Sequence, residues 1–261
     1  MTDKTNDIFL LPDRWHVLSG SWLKVFAMVS MLIDHVALVL HQDLAFSESL
    51  ITIGSYSITW YFLFRMVGRL AFPIFCFLLV EGFQHTHDLK KYGRNLLVFA
   101  LISEIPFNLA HSGHLYGEGQ NVFFTLFLGF LSLCAIRRWE EDRRDLPQSI
   151  VFAKHNRRLA FCLVSLIVAG YLLRSDYGNR GISLIIFLYV LRHNEILRTS
   201  IGFCFLGTRW TAWIAGLAFI PMVFYNGRRG FIQGSFGKYL FYLFYPLHLL
   251  GLYFIKVALV V

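Results

Sequence analysis

The chain has 261 residues, of which 56% are hydrophobic, 17% aromatic and 15% charged, with a formal net charge of +8. Its mean hydropathy of +0.56, and a charged share well below the roughly one quarter of a soluble domain, exclude a disordered chain, a nucleic-acid-binding globule and most water-soluble enzymes. A polytopic membrane protein remains, in which basic residues mark the loops that face the cytoplasm.

In chain order, residues 1–21 read as a cytoplasmic tail carrying Asp3, Asp7 and Asp13, without the cleavage pattern of a signal peptide. Residues 22–261 read as a single transmembrane domain. A helix needs about 20 residues to cross the hydrocarbon core. The runs that approach this length are Trp22–His41, Trp60–Val80, Tyr92–Ala110, Asn121–Ile136, Leu159–Leu173, Tyr177–His193, Arg209–Tyr225 and Tyr239–Val261. They predict an all-α bundle of about eight spans. The sixth is the weakest, since its purely apolar part, Ile182–Leu191, has the length of a re-entrant or internally packed helix. Ser200–Gly207 either lengthens the seventh span or lies at the interface. Cys76, Cys134, Cys162 and Cys204 fall inside apolar runs without Cys-x-x-Cys spacing, which offers neither a disulfide framework nor a zinc site.

Orientation follows from Lys and Arg. With eight alternating spans, the loops at 41–59 and 111–120 carry none, whereas 17 of the 24 basic residues fall on the other side. The positive-inside rule then places both termini in the cytoplasm. Arg228, Arg229 and Lys238 fall on the outer face, against that rule, and need another reason to be there.

Ionisable residues within spans are costly and mark sites, relays or pathways. The first span carries Asp34-His35, the second Arg65 and Arg69 four apart on one face, and the third Glu104 with Asn108 and His111 following on one stripe. Asn121 opens the fourth, Asp176-Tyr177-Gly178 the sixth, and Tyr245-Pro246-x-His248 lies in the last. Threaded through the eight-span topology, these groups reach similar depth in the outer half. That depth implies one polar pocket, in which Arg65 and Arg69 balance Asp34 and Glu104. Structural readings stand beside this one. The arginines can snorkel to the interface, the carboxylates can act as counter-ions within the bundle, His35 can be a packing histidine, and Asp176 can pair with Arg180. Helix neighbours point about 100° apart, so of Asp34 and His35 one meets the pocket and the other fixes a neighbouring helix. Asp34 shares a small-residue face with Ala27, Ser30 and Ala37.

At the cytoplasmic face, Glu81, His85 and His87 lack the His-x-x-x-His spacing of a helical zinc site, and no metal is expected. The loop Arg137–Arg158 alternates arginine pairs with acidic residues and reads as topology-setting and lipid-contacting, with phosphate binding as the sharper option. Motifs of nucleotide, serine-hydrolase or metalloprotease chemistry do not occur.

Met31-Leu-Ile-Asp34-His35, Gly68-Arg69-Leu-Ala71-Phe72-Pro73-Ile-Phe75, Asn121-Val-Phe-Phe-Thr125, Asp176-Tyr177-Gly178 with Gly181, and Tyr242-Leu-Phe-Tyr245-Pro246-Leu-His248 together resemble the TraX family, in order and over most of the chain. That is the family of the pilin N-acetylase of conjugative plasmids, itself similar to polytopic acyltransferases that draw on coenzyme A thioesters. The resemblance implies transfer of an acetyl or other acyl group from cytoplasmic acetyl-CoA or acyl-CoA to an amine or hydroxyl of an extracytoplasmic protein, glycan or polymer, in the bacterial cytoplasmic membrane. It implies His35 as general base, Asp34 as the group that orients it, and Arg69 with Arg65 at the oxyanion or the donor. Lys90, Arg94 or the Arg137–Arg158 loop would meet the donor phosphates. Asn121 and Tyr177 would be positioning donors, Asn121 on the cofactor side and Tyr177 on the substrate side. Glu104 would bind substrate, His248 would bind it and close the site, and Arg228, Arg229 and Lys238 would hold an acidic acceptor. Two rivals remain: a proton-coupled transporter built on the intramembrane Asp, Glu and His, and an assembly subunit whose polar groups serve helix association alone.

Overall fold

A computed structural model of the chain describes residues 8–40, 46, 48–53, 56–145, 148–207 and 213–260. Lys4 and the acidic residues Asp3 and Asp7 of the tail, His41, Arg209 at the start of the seventh expected span, the Lys238 side chain and Val261 lie outside this description.

The described chain is helical apart from one hairpin. After a 3-10 turn at Asp13–Trp15, α1 runs over Gly20–Leu40. Strands β1 (Ser49–Ile53) and β2 (Tyr56–Thr59) pair antiparallel and lead into α2 (Trp60–Gly68) and α3 (Ala71–His85). Then come α4 (Leu89–Ser112), α5 (Val122–Asp145), α6 (Gln148–Leu172), α7 (Gly178–Val190) and α8 (Glu195–Leu206). The short α9 (Trp213–Gly216) and α10 (Phe219–Val223) precede the 27-residue α11 (Gly234–Val260). Local chemistry sets several boundaries. Thr59 caps α2 by accepting from Phe62 N at 3.1 Å. Pro73, lacking an N–H, sits in the first turn of α3, where that donor is not needed, and so separates α3 from α2. Asn194 caps α8 through Leu197 N at 2.9 Å.

The chain forms two compact units. One comprises Met1–Leu78, Ile102–Gly117 and Leu191–Val261; the other comprises Leu79–Leu101 and Glu118–Val190. In the first, α1 packs on α2 through the small-residue face, with Ala27 and Ala37 fully buried and Ser30 nearly so. The core of the second gathers Phe83, Phe130 and Tyr189 edge to face.

The expectation of about eight spans is not met. Among the described residues four helices are long and apolar enough to cross a membrane: Gly20–Leu40, Trp60–His85, Val122–Arg143 and Tyr239–Leu259, with mean hydropathies of 2.0, 1.9, 1.5 and 1.5. The others fail for physical reasons. α4 has the length, but Lys90, Lys91, Arg94, Asn95, Glu104 and Asn108 lower its hydropathy. α6 becomes continuously apolar only after Arg158. α7 and Trp213–Val223 are too short. The assignment of 17 basic residues to one face, which alternated through eight crossings, falls with the count.

Both termini on one side is likewise corrected. Ser21 Oγ accepts from Ile232 N at 2.9 Å, the Lys24 ammonium lies 5.0 Å from the centre of the Phe241 ring, and His35 meets His248. Contacts that advance together along both helices mean that α1 and α11 run parallel. The N-terminal end of α1 and the C-terminal end of α11 therefore lie at opposite ends of the pair, where antiparallel first and last spans were expected.

Candidate active site

The polar residues of α1 divide as the 100° step between neighbours requires. Asp34 faces α2: Arg65 Nη1 donates to its Oδ2 at 2.5 Å, and Arg69, the half-buried C-cap of α2, also bears on this carboxylate electrostatically. Gly68 makes the approach possible, since a Cβ there would overlap Asp34. One turn away, Ser30 Oγ donates to the Val67 carbonyl at 2.5 Å. The charge pair thus sits on a close helix crossing.

His35 turns away from Asp34, toward α11 and the end of α4. It is 8% exposed, and its Nδ1 lies 3.0 Å from His248 Nε2. His248 Nδ1 is 2.7 Å from the Phe244 carbonyl. A carbonyl can only accept, so His248 carries its proton on Nδ1 and presents Nε2 as an acceptor. His35 must then donate from Nδ1. The ring hydrogen bonds fix the tautomer from both ends and leave the lone pair of His35 Nε2 as the basic site. His111 repeats the pattern, with Nδ1 3.0 Å from the Phe107 carbonyl, and its ring lies 6.2 Å from that of His35. Tyr245 completes the surround, its ring 6.1 Å from His35. His111 is the residue that the sequence reading did not single out for a role. Its signal was present as the last member of the Glu104, Asn108, His111 stripe.

The remaining expected site residues distribute as follows. Glu104 accepts a long contact of 3.4 Å from Asn108 Nδ2, which also donates to the Leu115 carbonyl at 3.2 Å. In the second unit, Asn121 is fully buried: its Nδ2 donates to the Ala100 carbonyl at 2.7 Å, and its Oδ1 accepts from Phe123 N at 3.0 Å. Its amide is engaged in joining α4 to the start of α5. Tyr177 is 43% exposed on a turn held by Thr125, whose Oγ1 donates to the Asp176 carbonyl; its φ of 62° is left-handed. Lys90 and Arg94 are exposed on the first turns of α4. Arg228 and Arg229 stand at the other end of α1 from His35: their carbonyls accept from Gly20 N at 2.8 Å and Ser21 N at 2.9 Å. Fifteen residues of helix, about 22 Å at 1.5 Å each, separate them from the histidines. Among the described residues, no group of three or more His, Cys, Asp or Glu is arranged to hold a metal ion.

Chemically, the first unit offers a buried imidazole paired with a half-buried one, with one defined basic nitrogen, beside a guanidinium held by a carboxylate. A family model described as "TraX protein" matches residues 19–256. The chain is 31% identical over 262 residues to the "Probable fimbrial assembly protein FimC, serogroup H1" of Dichelobacter nodosus, covering 88% of this chain and 93% of that protein. It is 24% identical over 185 residues to an uncharacterized protein of Rickettsia prowazekii (strain Madrid E), covering 70% of this chain and 58% of that protein. No solved structure matches.

Proposed function

The chain belongs to the TraX family, and on that footing we propose that it transfers an acetyl or similar acyl group from a coenzyme A thioester to an amine or hydroxyl of an extracytoplasmic acceptor. It is a multi-pass membrane protein of the TraX acyltransferase family, a family that implies acetyl-CoA as donor. The name of the Dichelobacter nodosus relative supports looking for the acceptor among fimbrial subunits. The observation that carries the chemistry is the His35–His248 pair at 3.0 Å with its tautomers set.

In this reading His35 Nε2 takes the proton of the acceptor amine as its nitrogen attacks the thioester carbonyl. The C–N bond forms, the C–S bond breaks, and the coenzyme A thiolate leaves with the proton from His35. His248 holds the ring and its tautomer. Arg69, with Arg65, faces the oxyanion. Asp34 acts by fixing Arg65, the partner its geometry gives it, and not by orienting His35.

The test is purified protein in lipid nanodiscs with radiolabelled acetyl-CoA, following thiol release and label transfer. Turnover that disappears in a folded His35→Ala variant is the expected result. Turnover unchanged by that substitution, or none in the native protein with any fimbrial or amine acceptor, overturns the reading.

A further inference from the structure

The end of the α1–α11 pair remote from the histidines carries a built feature that the chemistry above does not use. Asn226 Oδ1 accepts from Arg228 N at 3.0 Å, and Gly227 and Gly230 take φ of 70° and 90°. At Gly230 a side chain would also collide with Ser19. Ser21 Oγ donates to the Arg229 carbonyl at 2.8 Å. This rigid turn presents two exposed arginines whose guanidinium groups have no hydrogen-bond or ion-pair partner among the described residues. Beside them Trp22 and Phe231, 55% and 60% exposed, meet edge to face at 5.3 Å.

We propose that this turn is the docking site of the donor's nucleotide, with Arg228 and Arg229 on the phosphates of acyl-coenzyme A and the Trp22–Phe231 pair against its adenine. Guanidinium groups bind phosphate through charge-assisted, often bidentate hydrogen bonds, and aromatic rings accept a base by stacking. The layout matches the molecule's architecture. Parallel α1 and α11 lead from the arginines to His35 and His248, and a donor with its charged head at one end delivers its thioester through the linear pantetheine arm to the other. The inference rests on the acyl-CoA reading above, moves the donor site from Lys90 and Arg94, and reverses the expectation that Arg228 and Arg229 hold the acceptor.

The experiment compares acetyl-CoA with acetyl-pantetheine, which lacks the nucleotide, in native protein and in the double variant R228E/R229E. The expected result is a fall of at least tenfold in the ratio of kcat/KM for acetyl-CoA to that for acetyl-pantetheine. A ratio within twofold of native overturns the site while leaving the acyl-transfer reading intact; no turnover of either donor by native protein overturns that reading instead. Equal losses with both donors that track the anionic lipid content of the nanodisc assign the arginines to lipid headgroups and overturn the proposal. Should the double variant fail to fold, photo-crosslinking of native protein with an azido-coenzyme A decides. Label on residues 226–234 supports the site, and label confined to residues 89–94 refutes it.

Discussion

Replacing His248 by leucine roughly keeps the volume of the side chain but removes the Nε2 acceptor that His248 offers to His35 Nδ1–H. In the resting state this bond joins two neutral rings, which is worth about 0.5–1.5 kcal/mol, whereas a hydrogen bond from a charged donor is worth about 1.5–3 kcal/mol. When His35 takes a proton, the bond at 3.0 Å moves from the first class to the second, so His248 stabilises the protonated intermediate by about 1–2 kcal/mol more than the resting enzyme. At about 1.4 kcal/mol per factor of ten, kcat falls roughly 5- to 30-fold in His248→Leu. His248→Gln, whose Oε1 can accept near the position of Nε2, recovers much of that loss. The assay is thiol release from acetyl-CoA at saturating donor, with unaltered elution and melting midpoint as the check on folding. A folded His248→Leu variant with native kcat refutes the coupling. Equal losses beyond 1,000-fold in both variants refute it too, because they would make His248 a direct participant in bond making.

Three further outcomes are expected. Gly68→Ala forces a Cβ into the Asp34 carboxylate and costs about 1–3 kcal/mol, seen as a lower melting midpoint. Gly251→Ala, with nothing within 4 Å of the new carbon, leaves the midpoint level or slightly raised; equal effects would remove the close crossing from the account. At Tyr177, whose φ is 62°, glycine relieves about 1–2 kcal/mol of left-handed strain, so Tyr177→Gly raises the midpoint and Tyr177→Phe does not; a lower midpoint in Tyr177→Gly counts against strain in this turn. In a cysteine-free background, single cysteines at Val17, just before α1, and at Ala258, near the end of α11, label from opposite sides of the membrane, because α1 and α11 run parallel. Labelling from one side contradicts that geometry. Opposite sides also require an odd number of passes between residues 41 and 233, so a helix too short or too polar to qualify alone completes the return.

Much that concerns the site was legible in the chain. Asp34 and His35 had to diverge because adjacent helical residues do, and Ala27, Ser30 and Ala37 marked the face on which a second helix approaches. The family motifs were readable because they keep their order along most of the chain. Other properties belonged to the tertiary structure. Apolar runs do not show where the chain turns, so α7 and Trp213–Val223 stop short of a crossing, and with the polar α4 and α6 excluded, eight runs reduced to four helices that qualify by themselves. The direction of α11 is fixed by contacts with a helix more than 200 residues earlier, which no local pattern encodes. That one contact set moved Arg228 and Arg229 to the far end of α1 and gave His35 its partner. The sequence by itself determined a greasy, basic membrane protein with charged groups inside its helices. The fold decided which of those groups meet, because pairing depends on helix direction and register, and these are set by packing between segments remote in the chain.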